Sequence, residues 1–550
     1  MKKQIIAGAI VIVSLVFFFN VNSSYAQKKL AEPPGLAALT SAATTTNDPV
    51  IRTENGRLQG VVGTEMIEYL GIPYAAPPVG TLRWMPPEAF GRWKGVFQAT
   101  QFGNTCPQMN TMGGVVGDED CLFLNVYTPR GKNRVKPTRR PVMVWIHGGG
   151  LTKGAGSDFD PTPLVEGGNV IVVTINYRLG MLGFFAQQAL DSEGHLAGNY
   201  GFMDQQFALG WVQRNIAAFG GDPSRVTIFG ESAGGLSVYS QLASPLAAGL
   251  FQHAIAQSGA HAGFAPDYRV EILPIATAET TGNAFVESGA ALADAVGCPD
   301  QTAACLRAVD PETLVMTPKA ISPTIDGTLL TQTPGDAFAS GNFNRVPVIT
   351  GNNRDEYRYF VATDFPLPVT NAQYTGVFDV VFRSQLAPSV EAQYPLGINP
   401  PANETELQLA AAGTDGIFVC TARRATRALA QYVTVYAYEF NDENAPAPNI
   451  KNLDFPLGAY HGADVQYLLN RIGIPAPQFT PDQMLLSEAM ISYWTHFAKN
   501  GNPNSKGQPH WAPYVSAVDN RQSFVPPTPT VESGADFDSF HKCSSYWDGL

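Results

Sequence analysis

Gly230-Glu231-Ser232-Ala233-Gly234 follows Arg225-Val226-Thr227-Ile228-Phe229, which reads as a buried strand, and precedes Leu236-Ser237-Val238-Tyr239-Ser240-Gln241-Leu242, which reads as a helix. A serine between small residues at a strand-to-helix turn is the setting that a nucleophile elbow requires. Gly230 and Gly234 leave room for a sharp turn that pushes the Ser232 side chain outward. The five-residue string alone is a modest signal, because glycine and serine are common. The strand and helix around it carry the reading.

Working outward, further apolar runs recur as strands: Pro141 to Ile146, Val170 to Asn176, Phe251 to Gln257, Val346 to Thr350 and Val433 to Phe440. Several are almost wholly apolar, as suits strands covered on both faces. Helical patterns lie between them, over Tyr200 to Phe219 and Leu485 to Lys499. The alternation predicts an α/β fold with a mostly parallel central sheet flanked by helices. Residues 265–345 and 357–430 read as mainly helical, cap-like insertions.

The chain has 550 residues, 45% of them hydrophobic, and a formal charge of -12. That balance argues against nucleic acid or an anionic membrane surface as the main partner. Met1-Lys2-Lys3, an apolar run from Ile5 to Phe19 and Ser24-Tyr25-Ala26 predict a signal peptide cut after Ala26. Residues 1–26 would then be the leader, 27–49 a loose segment and 50–550 a single catalytic domain, with no membrane anchor after cleavage. The product would be secreted or periplasmic. Six cysteines in an exported chain suggest disulfides. Local pairing gives Cys106–Cys121 and Cys298–Cys305 and leaves Cys420–Cys543, but six cysteines allow 15 connectivities. No C-x-x-C or H-E-x-x-H occurs, so a zinc site has no support.

A serine hydroxyl needs a base to take its proton. Behind such an elbow an acid and then a histidine follow in the chain. His461 lies in the turn-like stretch Gly458-Ala459-Tyr460-His461-Gly462-Ala463 and is the preferred base. His496 falls inside a helical pattern, while His510 and His541 fall in Pro- or Ser-rich coil. For the acid, Asp355 and Glu356 both follow the strand Val346 to Gly351, and pattern does not separate them. His147-Gly148-Gly149-Gly150 directly follows a strand upstream of the elbow. Glycines there let backbone N–H groups approach a developing oxyanion. The N–H of Ala233 is the further candidate donor. The run lacks the lysine of a phosphate-binding loop and the spacing of a dinucleotide fingerprint.

The motifs together resemble the type B carboxylesterase family, the cholinesterase-like branch of the α/β-hydrolases, in a bacterial secreted form. The resemblance covers about Val50 to Trp547. It rests on Gly71-Ile72-Pro73-Tyr74-Ala75-Ala76-Pro77-Pro78-Val79-Gly80, on Glu119-Asp120-Cys121-Leu122-Phe123-Leu124-Asn125-Val126-Tyr127, and on Asn176-Tyr177-Arg178, Gly198-Asn199, Asp204-Gln205 and Phe219-Gly220-Gly221-Asp222-Pro223 before the elbow. It implies an α/β-hydrolase fold and a cofactor-free serine carboxylesterase acting on small-molecule or polymeric esters. It implies Ser232, Glu356 and His461 as the triad, with Gly149, Gly150 and Ala233 as oxyanion donors. Glu231 and Ser258 are implied as supporting residues, Ser258 under the His loop. It also implies the three disulfide pairs given above and a structural Arg83–Glu119 ion pair.

Three departures bear on substrate. Asn110-Thr111-Met112-Gly113-Gly114 holds no aromatic where cholinesterases place a choline-binding tryptophan. Thr317-Pro318-Lys319-Ala320-Ile321-Ser322 lacks bulky aromatics, which implies a roomier acyl side; Lys319 is a candidate partner for an anionic acyl group. Leu151 stands where many members have Phe. The alternatives are a specialised esterase for polyester, aryl-ester or polyol-ester toxin substrates, and a non-catalytic adhesion relative, which typically lacks a triad member.

Overall fold

The computed structural model describes residues 49–130, 139–196, 198–259, 289–317, 323–365, 367–397, 403–448, 450 and 453–550. The signal, the segment 27–48 and residues 318–322, with Lys319, lie outside the described residues.

Eleven strands form the central sheet: β1 (Val61–Val62), β2 (Met66–Pro73), β3 (Phe123–Pro129), β4 (Arg140–Ile146), β5 (Ile171–Ile175), β6 (Gly221–Glu231), β7 (His253–Gln257), β8 (Val348–Asn353), β9 (Val435–Phe440), β10 (Arg521–Phe524) and β11 (Thr530–Glu532). Their spatial order is β11-β10-β9-β8-β7-β6-β4-β5-β3-β2-β1. The contiguous block from β10 to β5 is parallel throughout. The flanking pairs at both edges are antiparallel. This is the α/β-hydrolase architecture.

The middle strands are buried on both faces, which explains their unbroken apolar runs. Side chains alternate between two cores. Val142, Val144, Ile146, Val226 and Ile228 join one, with helices α1 (Tyr200–Asn215) and α2 (Ala233–Ala243). Met143, Trp145, Phe229 and Ile255 join the other, with the long helix Pro481–Asn500. A third apolar cluster lies among the helices of residues 357–429, the cap-like insertion.

The strand order reverses beside β6: β4 and β5 lie on one side and β7 to β10 run outward on the other. A crevice opens at the C-terminal ends of parallel strands at such a switch. His147 follows β4, Ser232 follows β6, and Glu356 comes three residues after β8. Cys106–Cys121, Cys298–Cys305 and Cys420–Cys543 are disulfide-bonded. Arg83 and Glu119 form a largely buried ion pair at 2.5 Å.

Candidate active site

Ser232 stands at φ 59°, ψ -125°, between the end of β6 and the first residue of α2. A non-glycine residue rarely adopts this backbone, and the surroundings hold it there. Its N–H donates to the Gln257 carbonyl at 2.9 Å, and its carbonyl accepts from Leu236. The two framing glycines are sterically required. A Cβ on Gly230 would lie 2.5 Å from the Ile146 carbonyl oxygen, and one on Gly234 would overlap the same atom. The elbow therefore fits only because its backbone can press against the end of β4.

The Gly148–Gly150 loop crosses directly over this elbow. A Cβ on Gly148 would stand 3.1 Å from Ser232 Cβ. Gly149 and Gly150 have φ of 103° and 64°, open to glycine and strained for most other residues. Among the described residues, the N–H groups of Gly149, Gly150 and Ala233 donate no hydrogen bond. Ala233 opens α2, whose first N–H groups have no partner inside the helix.

His461 and Glu356 are buried side by side, with His461 Nδ1 2.5 Å from Glu356 Oε2. The other Glu356 oxygen accepts from the Asn353 N–H at 2.7 Å, which fixes the carboxylate. The His461 N–H donates to the Glu356 carbonyl at 3.3 Å. Asp355 does different work. It pairs with Arg354 and Arg358 and accepts from the Ala459 N–H, so it anchors the start of the His loop.

The opposite ring nitrogen, Nε2, lies 3.2 Å from Glu231 Oε1, off hydrogen-bonding alignment. No hydrogen bond joins His461 Nε2 to Ser232 Oγ. Burial by itself disfavours a charged imidazole, but the carboxylates of Glu231 and Glu356 outweigh it and push His461 up to about 9. Burial raises Glu231 to about 7, with the His461 charge opposing it.

Three features here have no motif in the sequence. Gln257 Nε2 donates to Asp464 Oδ2 at 2.8 Å, and Asp464 also accepts from Tyr438 and Asn353. Asn353 Nδ2 donates in turn to the Tyr460 carbonyl. This buried network ties the His loop to β7, β8 and β9. Ser258, expected to support the loop, is buried at φ 51°, and its Oγ has no hydrogen-bond partner among the described residues. Its neighbour Gln257 makes the link to Asp464.

The second feature is an aromatic wall. Phe360 and Phe418 pack on the His461 ring at 5.0 and 4.9 Å, with Tyr359 at 6.3 Å. Leu151 is wholly buried in the sheet core. The third is a π-helical turn, Thr414–Val419, which carries Phe418. Thr414 Oγ1 accepts from the Tyr357 N–H at 2.9 Å, just past Glu356. Asp415 pairs with His541 at 2.6 Å, and His541 also meets Glu439 at 2.9 Å. His541, read as coil in the sequence, is thus a buried ionic link. His496 stays inside its helix, bonded to the Ser492 carbonyl.

A small ladder completes the frame. Phe159–Asp160 pairs antiparallel with Asn470–Arg471, and the Ile472 N–H donates to the Asp158 carbonyl. The segments continuing from the glycine loop and from the His loop are therefore joined.

Fold and site define an α/β-hydrolase with a strand-to-helix serine, a buried His–Glu pair and an open row of backbone N–H groups. The carboxylesterase family profile matches residues 47–534, and the chain belongs to that family. It is 34% identical over 514 residues to pyrethroid hydrolase Ces2e of Rattus norvegicus, covering 87% of this chain and 86% of the relative. It is 36% identical over 501 residues to the acylcarnitine hydrolase of Mus musculus, covering 84% and 85%. It is 34% identical over 521 residues to the medium-chain fatty acyl-CoA hydrolase precursor of Anas platyrhynchos, covering 87% and 89%. The protein is a serine carboxylesterase, a carboxylic ester hydrolase. These three relatives are vertebrate, so they support the family and do not bear on a bacterial source.

Proposed function

We propose that Ser232 is the nucleophile, His461 the general base and Glu356 the residue that orients it. The observation that carries this reading is the 2.5 Å His461–Glu356 contact beside a serine locked in an elbow. His461 takes the Ser232 proton as the hydroxyl attacks the ester carbonyl. The oxyanion rests on the N–H groups of Gly149, Gly150 and Ala233, each worth about 2.7–4 kcal/mol of barrier. His461 then protonates the departing alcohol. Water, activated by the same imidazole, releases the acid from the acyl-serine. The Ser232 hydroxyl must first draw His461 Nε2 away from Glu231, a short adjustment of the kind that substrate binding supplies.

The substrate is a neutral carboxylic ester with a sizeable acyl group. The acyl stretch without bulky aromatics supports the sizeable acyl group, as do the names of the acylcarnitine and medium-chain fatty acyl-CoA hydrolases, and the name of the pyrethroid hydrolase supports a neutral ester. Met112 is exposed in the stretch where a choline platform would stand, so choline esters are poor substrates. The enzyme works outside the cytoplasm, secreted or periplasmic in a bacterium, as a single catalytic domain over 50–550 after loss of 1–26. The N-terminal pattern and the three disulfides support that setting. No helix among the described residues is long and apolar enough to cross a membrane.

Ser232→Ala should reduce hydrolysis of p-nitrophenyl esters to background and abolish labelling by a fluorophosphonate probe. Retained turnover would overturn the assignment. The same assay across acyl lengths, with a choline ester and a polyester film, reads the specificity.

A further inference from the structure

His147 is used by none of the steps above, yet it is buried at the mouth of the glycine loop. Its ring lies nearly parallel to Tyr177, with centroids 4.4 Å apart and 18° between planes. Gly154 backs the ring edge; a Cβ there would stand 2.5 Å from His147 Nδ1. Gly154 is itself clamped by the Gln108 amide, which accepts from its N–H at 2.7 Å and donates to its carbonyl at 3.1 Å. The ring cannot turn. Its Nδ1 lies 2.8 Å from the Gly148 carbonyl oxygen, and its Nε2 has no partner among the described residues.

A carbonyl only accepts, so Nδ1 carries the proton. Burial pulls His147 down to about 4, so at neutral pH the ring has that one proton and a bare Nε2. The Gly148–Gly149 peptide is not among the cis bonds. In a trans peptide the C=O and the N–H point in opposite directions. Holding the Gly148 carbonyl toward the ring therefore turns the Gly149 N–H away from it. The next peptide is held in the same manner: the Gly149 carbonyl accepts from the N–H groups of Thr152 and Lys153, both at 3.1 Å, and this turns the Gly150 N–H outward. The second plane is held by two backbone N–H groups, with the Thr152 hydroxyl adding a third bond at 3.2 Å, whereas the contact on the first comes from the His147 side chain.

We infer that His147 is a positioning residue whose Nδ1–H fixes the peptide plane that presents the Gly149 N–H to the oxyanion. This rests on the reading of Gly149 as an oxyanion donor. Without the pin, the Gly148–Gly149 peptide is free to rotate and bury the donor. The cost then falls on the transition state, where negative charge develops on the oxygen, and little on ground-state binding.

The test compares His147→Asn, whose side-chain N–H replaces Nδ1–H, with His147→Leu, which has the same size and no donor. His147→Leu should lose about 10²–10³ in kcat, with KM changed less than about threefold. Its Ki for an aryl trifluoromethyl ketone, whose adduct carries the oxyanion, should rise in proportion. His147→Asn should recover at least about tenfold of the lost kcat. If the Leu variant does not fold, the Gln and Met variants, matched in length and differing in the donor, replace this pair. Equal kcat and equal Ki in the donor and non-donor variants would overturn the inference. It would leave the esterase reading intact as long as wild-type turnover is abolished by Ser232→Ala. Wild-type protein that neither hydrolyses esters nor takes the phosphonate probe would overturn the reading beneath it.

Discussion

Glu231 sets a carboxylate oxygen 3.2 Å from Nε2 of His461, on the ring edge opposite the one held by Glu356. The imidazole therefore lies between two carboxylates. An ion pair with Glu231 competes with the hydrogen bond that Ser232 needs.

The competition should appear as a pH dependence. The base must be neutral to act, and a raised pKa keeps it protonated to higher pH. The acid limb of kcat/KM should therefore lie above the ordinary histidine value of about 6.5, toward the value of about 9 to which the carboxylates push His461. Glu231→Gln removes one carboxylate and should move that limb down by about one unit or more. A limb that does not shift in the variant would show that Glu231 does not hold the imidazolium.

Asp355 and Glu356 are adjacent and should fail differently. Glu356→Gln keeps the volume but loses the charge facing His461 Nδ1, so kcat should fall by up to about 10⁴ with melting temperature little changed. Asp355→Asn weakens the pairs with Arg354 and Arg358 beside the His loop. It should lower stability by about 3–5 kcal/mol, with kcat of the folded fraction within about tenfold of wild type. Kinetics and thermal melts on both variants separate the roles; a larger kcat loss in Asp355→Asn reverses them.

His541 predicts a stability window. Burial opposes its charge, but Glu439 and Asp415 outweigh that and push it up to about 10. The folded value is above the unfolded one, so the stabilisation is complete below about pH 6.5 and fades as pH rises toward 10. Against His541→Gln, the wild-type advantage in urea midpoints should correspond to about 3–5 kcal/mol near pH 6 and narrow steadily above neutrality. A gap independent of pH would mean that the imidazolium charge is not what counts.

Much of this was legible in the chain because the determinants are local. The elbow declares itself through glycines that the Ile146 carbonyl makes obligatory, and the buried parallel strands declare themselves through unbroken apolar runs. Strand ends were less legible: β6 begins at Gly221 and not at Val226, since Gly221 pairs with Arg140 across a register shift that polarity conceals. The acid was ambiguous by pattern because both carboxylates leave the same strand, and only the fold decides which one meets His461. The Gln257–Asp464 link and the His541 bridge are contacts over 207 and 102 residues in the chain. No local period records such pairs.

The Cys420–Cys543 bond closes 123 residues of chain at the end of the π-helical turn that carries Phe418 to the His461 imidazole. Ser232 and the glycine loop leave the ribosome long before Cys543 does. The wall behind the base is therefore tied down only after almost the whole polypeptide has been made and has met an oxidant. With export as proposed above, the order of synthesis leaves this wall untied until the chain has reached a compartment where thiols pair.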